Sequence, residues 1–169
     1  GMIASATSST SLRIEYRPLP TQPTVRDTVS LQVLVVGLLR GLVAADHPVT
    51  DLPWTAARDC FYDAVDRGPD ADLAWVTADG DRTDDPDTVY DEVFEFARRG
   101  LRDAGLDDDA IDGALDPIER RRDGIAPSAW KKARVREAVD DGATLPDAIE
   151  AMQRDYIARA GGETVFADW

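Results

Sequence analysis

Residues 25–45, VRDTVSLQVLVVGLLRGLVAA, decide the fold. They read as one helix that is apolar nearly all round, with Val29, Leu31, Val33, Leu34, Val35, Val36, Leu38, Leu39, Leu42 and Val43 distributed over every face. A membrane span needs about 20 apolar residues. This run is interrupted by Gln32 and Arg40, carries Gly37 and Gly41, and is followed by no second run of its kind. It is therefore read as the central buried helix of a soluble domain. Thr24 stands where a capping hydroxyl belongs, and Asp27 follows near the positive end of the helix dipole.

Downstream, the pattern is helical with one interruption. Pro53 opens a second helix running to about Arg67, with Trp54, Ala57, Phe61 and Val65 as its inward positions. Residues 73–77 form a short strand-like run, and Asp79-Gly80 is a hairpin-type turn. Pro86 starts a third helix through Val89, Val93, Phe94, Ala97 and Leu101, closed by Gly105. Asp107 to Asp109 cap a fourth, with Ile111, Leu115 and Ile118 inward. Pro127-Ser128 and Thr144-Pro146 start two more, and Gly161-Gly162 ends the last before a short tail, residues 163–169.

Upstream, residues 1–10 are small and polar and read as a loose leader, with Gly1 before Met2 as an expression scar. Residues 11–17 alternate: Leu12, Ile14 and Tyr16 fall on one face of a strand, and Arg13, Glu15 and Arg17 on the other. Pro18, Pro20 and Pro23 end the strand in a stiff connector. The expected fold is mainly α: about six helices around a long apolar central helix, with one N-terminal strand and a short hairpin, and residues 11–169 forming a single domain.

Composition narrows the chemistry. The 169 residues carry 33 acids against 19 bases, a net charge of −14, with 26 Asp, 7 Glu, 17 Arg and only Lys131 and Lys132 as lysines. Such a surface repels nucleic acid and anionic membrane. Spread along the whole chain, the aspartates suit molar salt, where screening removes self-repulsion; the competing reading is an acidic binding surface for a basic partner. One cysteine, Cys60, excludes an internal disulfide and points to the cytoplasm. With only His47 beside it, no structural zinc site can be built from these two residue types. His47 reads as a loop histidine and Cys60 as a packing thiol.

Three charged stretches invite a site. An EF-hand loop starting at Asp79 would need glycine sixth and glutamate twelfth, and finds Asp84 and Tyr90, so a solvated turn is the reading there. Arg120, Arg121, Arg122, Lys131, Lys132, Arg134 and Arg136 form the one basic region, able either to cradle phosphate or to pair with acids on neighbouring helices. On the strand, Glu15 lies between Arg13 and Arg17, an arrangement that can hold magnesium while Arg17 neutralises a phosphoryl group, or can be a salt bridge on a solvent face.

The context of that strand resembles a known family. RIEYRPLPTQPT, residues 13–24, followed by the apolar helix with Asp27 near its start, is similar to the C-terminal half of the glutamate–cysteine ligase family, closest to its carboxylate–amine ligase branch. Trp54-x-Ala-Ala-Arg58 and the Asp79-Gly80-Asp81 turn add weaker similarity over residues 11–160. The resemblance implies a glutamine synthetase-like fold and ATP-dependent joining of the glutamate γ-carboxylate to cysteine through an acyl phosphate. It makes Glu15 a magnesium ligand and Arg17 the catalytic and ATP-phosphate contact, and assigns no role to Arg13. Family members are about twice as long, and their N-terminal half supplies most strands and further metal carboxylates. The expectation is an incomplete ligase, inactive alone, that needs another chain or pairs its strand with a second copy. The alternative is a non-enzymatic helical module that binds a protein through the strand edge or the face around Arg120.

Overall fold

The computed structural model describes residues 22–122 and 124–169. The expected strand at 11–17 and the leader at 1–10 lie outside the described residues. Within them are six α-helices: α1 (Val25–Ala44), α2 (Trp54–Arg67), α3 (Pro86–Asp103), α4 (Asp108–Glu119), α5 (Pro127–Asp140) and α6 (Leu145–Ala160). One hairpin, β1 (Trp75–Val76) with β2 (Arg82–Thr83), separates α2 from α3. The mainly helical reading and the hairpin are both as the sequence indicates.

The helix starts follow from local chemistry. Thr24, Asp85, Asp107 and Thr144 each accept the backbone N–H three residues on, satisfying one of the donors a helix leaves orphaned at its first turn. The end of α3 is a Schellman-type closure: Leu106 N–H reaches the Leu101 carbonyl, with Gly105 between them at φ +94°. In the hairpin, Trp75 stands opposite Thr83 and Val76 opposite Arg82. Its turn is closed by Gly80 N–H on the Thr77 carbonyl at 2.9 Å.

The core lies where α1 crosses α3, with α4 completing it. Leu34, Phe94, Ala97, Leu101, Ile111 and Leu115 form one buried cluster. What brings α1 and α3 together is the lack of side chains at the crossing. A Cβ placed on Gly41 would sit 1.9 Å from the Phe96 carbonyl oxygen, and one on Gly100 2.0 Å from the Gly37 carbonyl oxygen. The two backbones are therefore in direct contact, and α1 presents its glycine face to α3.

Two expectations about packing change. α1 is not enclosed. Asp27, Ser30, Leu34, Gly37 and Gly41 are buried, but Val25 is 80% exposed, Val36 55% and Val43 81%. The reason is that α3 and α4 both lie on its glycine side, and no described element covers the other. By length and composition α1 also meets the requirement for a bilayer span. Three of the four inward positions expected for α2 are outward as well: Trp54 is 77% exposed and Val65 71%, with Phe61 exposed too, while Ala57 is half-buried. α2 meets the described chain mainly through the Gly68–Asp70 turn that follows it, so its apolar side has no described helix to face. Cys60 is correspondingly half-buried rather than a core thiol.

α5 and α6 pack on each other as a hairpin of helices. Trp130 of α5, Tyr156 of α6 and Trp169 of the tail have ring centroids 5.4–6.1 Å apart, and Phe166 meets Trp169 at 5.2 Å. The tail is thus the piece that joins the α5–α6 pair to the core.

The helix crossing predicts opposite signs for one substitution. Gly41→Ala and Gly100→Ala should each destabilise the fold by about 1–3 kcal/mol, because the methyl meets backbone that cannot yield. Gly113→Ala on the open side of α4, where nothing lies within 4 Å of the added carbon, should instead stabilise it by about 0.5–1 kcal/mol. Urea unfolding of the three variants measures both.

Candidate functional site

Glu15 and Arg17, the residues the sequence singles out for metal and phosphate, lie outside the described residues, as does Arg13. The described chain opens at Gln22, two residues before the α1 cap, so the site can be built from the point where that segment enters. Gln22 Oε1 accepts a hydrogen bond from Arg121 Nη1 at 2.7 Å. Arg121 Nε donates to the Ile125 carbonyl at 3.3 Å, and its guanidinium lies 5.3 Å from the centre of the Phe166 ring. Burial pushes this guanidinium below its ordinary pKa, while the nearby Asp27 charge acts in the opposite sense.

Asp27 is the centre of this end of the molecule. It is fully buried. Its N–H donates to Thr24 Oγ1 at 3.1 Å, and the Thr24 hydroxyl donates back to Asp27 Oδ2 at 2.6 Å. The same Oδ2 receives the backbone N–H of Phe166 at 3.2 Å, across 139 residues of chain. Asp27 Oδ1 is buried with no hydrogen-bond partner among the described residues. Tyr156, close enough to feel both charges, has its phenol pushed above the usual value, first by burial and then by Asp27, with Arg121 opposing. A helix cap, a buried carboxylate, an arginine and the C-terminal tail therefore share one electrostatic neighbourhood.

Beside it opens a cleft of about 530 Å³, walled by Leu31 and Leu34 of α1, Tyr90 and Phe94 of α3 and Ile118 of α4, with Gln22, Arg121 and Arg122 at its polar margin. Arg122 is held by Asp91 at 2.6 Å and lies 5.9 Å from the centres of the Tyr90 and Phe94 rings. Apolar walls with guanidinium N–H groups at one margin suit a carboxylate or phosphate carried on an apolar body.

No family model, curated protein or solved structure matches the chain. Its chemistry is accordingly read from its own residues.

The remaining candidates resolve into structural roles. His47 is buried, accepting the Val49 N–H at Nδ1 (3.1 Å), and its Nε2 lies 3.4 Å from a Glu92 carboxylate oxygen. Glu92 also receives the Trp75 indole N–H at 2.7 Å and the Ala78 N–H at 2.9 Å. With Phe96 edge-on at 4.7 Å and Trp75 at 5.5 Å, the imidazole is sealed in a clamp that ties the hairpin to α3 and to the loop after α1. Of the acids between 79 and 87, Asp85 caps α3 and Asp79 sits in the hairpin loop. Among the described residues no group of three or more metal-ligating side chains comes together.

The basic region divides in favour of pairing. Arg120 pairs with Asp168 and Asp116, Arg122 with Asp91, and Arg134 with Glu137 and Asp155, while Lys131 lies 3.9 Å over the Tyr156 ring. Sequence reasoning saw these arginines as one cluster. The fold uses them separately: Arg121 and Arg122 border the cleft, and of the two only Arg121 also faces the Asp27 neighbourhood.

Removing the buried carboxylate should show this connectivity. Asp27→Ala strands the Thr24 hydroxyl and the Phe166 N–H and should cost about 1–3 kcal/mol. It should also change Trp169 fluorescence and speed proteolysis of residues 165–169, whereas Ser30→Ala should leave the tail unmoved. The Arg120–Asp168 pair provides a pH test. The Arg120 hydrogen bond and charge hold the Asp168 carboxyl below its usual range. A depressed folded pKa contributes stability above the unfolded value and loses it as pH falls through the folded one. The stability deficit of Arg120→Ala should therefore be present at neutral pH and vanish on acidification below about pH 4, as followed by thermal melts across that range.

Proposed function

We propose that this chain is the helical C-terminal portion of an ATP-dependent ligase of the glutamate–cysteine ligase kind, acting with a further set of strands that it does not itself contain. The observation that carries the reading is the pairing of the motif at 13–24 with a helix that begins at Thr24 and leaves one whole apolar face open. An apolar face on a 20-residue helix that no described element covers is the feature expected of a piece of a two-layer fold.

In the proposed reaction a γ-carboxylate oxygen of glutamate attacks the terminal phosphorus of ATP, giving γ-glutamyl phosphate and ADP. The cysteine amine then attacks the acyl carbon, and phosphate and a proton leave. Arg17 is the group that neutralises charge on the transferring phosphoryl, as phosphoryl transfer demands of its surroundings. Glu15 is the one metal ligand the motif offers. A magnesium site needs more than one carboxylate, and in the proposed complete enzyme the remaining ligands would come from the strands of the family's N-terminal half.

A second reading, a helical module that binds a protein partner without catalysis, is favoured by a separate observation: the outward Trp54, Phe61 and Val65 of α2. The two readings differ at Glu15 and Arg17. Calorimetric titration of magnesium–ADP into the chain in molar potassium chloride should give heat that Glu15→Ala and Arg17→Ala each abolish. Heat that both variants retain, or none from folded protein, counts against a nucleotide site on this chain. Turnover of ATP, glutamate and cysteine by the chain alone would overturn its incompleteness.

A further inference from the structure

Arg121 differs from the arginines on either side of it. Arg120 and Arg122 each meet a carboxylate, Asp168 and Asp91 respectively. Arg121 donates to neutral acceptors instead, the Gln22 side-chain oxygen at 2.7 Å and the Ile125 carbonyl at 3.3 Å. Those bonds use Nη1 and Nε, so its Nη2 makes no hydrogen bond among the described residues. The group is half-buried. Asp27 attracts it without offsetting that burial, which holds the guanidinium below its ordinary pKa. Acids outnumber bases 33 to 19 in this chain, yet no described carboxylate is paired with this one cation. A half-buried charge in that position is costly until an anion joins it.

The cleft that Arg121 borders, about 530 Å³, has the size of a small-molecule site. Leu31, Leu34, Val93, Phe94 and Ile118 make its helix walls apolar, and the Tyr90 phenol is their one polar side-chain atom. Arg122 also borders the cleft, but its charge is already met by Asp91 and it lies flat over the aromatic wall, 5.9 Å from the centres of the Tyr90 and Phe94 rings. An apolar hollow with one unpaired guanidinium at its margin is complementary to an amphiphile charged at one end only.

We propose that this cleft binds a singly charged carboxylate carried on an alkyl or aryl body, with the carboxylate on Arg121 and the body between α1, α3 and α4. The Nη2 group supplies charge-assisted hydrogen bonds to the carboxylate oxygens. A ligand charged at both ends, glutamate included, finds no partner for its second charge on the walls. A dianionic phosphate is opposed by Asp70 on the lining, by Asp91 beside Arg122 and by the Asp27 charge. Neither Glu15 nor Arg17 takes part, so nucleotide binding and occupancy of this cleft can each fail without the other.

The test is calorimetric titration of the full chain with octanoate, octanol, butyrate and octyl phosphate in molar potassium chloride, where a half-buried ion pair is screened less than an exposed one. Octanoate should bind at least about 10-fold more tightly than octanol, which lacks the charge, and than butyrate, which lacks the body. Arg121→Gln should abolish the preference for octanoate over octanol. Val93→Trp, which fills the apolar wall and leaves Arg121 intact, should weaken octanoate at least ~10-fold. Arg134→Gln, outside the cleft, should change neither affinity. Circular dichroism establishes that each variant is folded, and the ratio of the two affinities is not moved by a modest loss of stability. Equal binding of octanoate and octanol, a preference that survives Arg121→Gln, or no octanoate binding by folded chain would overturn the proposal. Tighter binding of octyl phosphate than of octanoate would overturn it in favour of a phosphate ligand.

Discussion

The direct contact of two helix backbones at Gly37, Gly41 and Gly100 is the constraint on which the rest depends. Glycine inside a helix costs about 1 kcal/mol against alanine. Three such positions persist here because the absence of side chains lets α1 and α3 approach until carbonyl oxygens stand where Cβ atoms would otherwise be. That approach brings Leu34 onto Phe94, Ala97 and Leu101 and allows α4 to close the cluster with Ile111 and Leu115. It also orients α1. Once the glycine face is turned to α3, the valines at 25, 29, 36 and 43 must point the other way, because a helix cannot present both faces to one neighbour.

The second organising feature is the buried carboxylate of Asp27. A threonine N-cap whose hydroxyl is held by an aspartate three residues on is a local device, worth about 1 kcal/mol on most helices. Here the same oxygen that receives the Thr24 hydroxyl also receives the Phe166 N–H, so a local cap becomes a long-range clasp. Through Phe166 and Trp169 the clasp reaches Trp130 and Tyr156, and so couples the α5–α6 pair to the start of α1. Arg121, drawn to the same place, anchors Gln22 and forms the polar margin of the cleft. The entry point of the N-terminal segment, the cleft and the C-terminal tail are thus held by one small group of polar side chains.

The helices were legible because their signals are local. Capping residues at 24, 107 and 144, Pro86 at the start of α3 and the glycine after it each act within a few residues, and the inward residues of α3 and α4 follow the 3.6-residue period of a helix resting on one neighbour. α2 misled because the same period states only that a face is apolar, not that anything covers it. Trp54, Phe61 and Val65 have the spacing of a buried stripe and stand in solvent. The basic region misled in a related way: Arg120, Arg121 and Arg122 are adjacent in the chain, yet they form the turn that leaves α4, so each points a different way and meets a different acid or amide. Glu92 gave no signal at all, since its three partners at 47, 75 and 78 are distant in sequence.

By itself the sequence determined the number and order of the helices, the hairpin turn, the caps and the acidic, arginine-rich surface, because each of these is set by residues that act on their immediate neighbours. Only the tertiary structure decided which face of α1 is covered, that Asp27 holds the C-terminal tail, and that Arg121 and Arg122 rather than the whole basic region border the cleft. Those outcomes depend on which elements approach one another. That choice is made by shape at the glycine crossing and by the need to satisfy buried polar groups, and neither condition can be read from the spacing of residues along the chain.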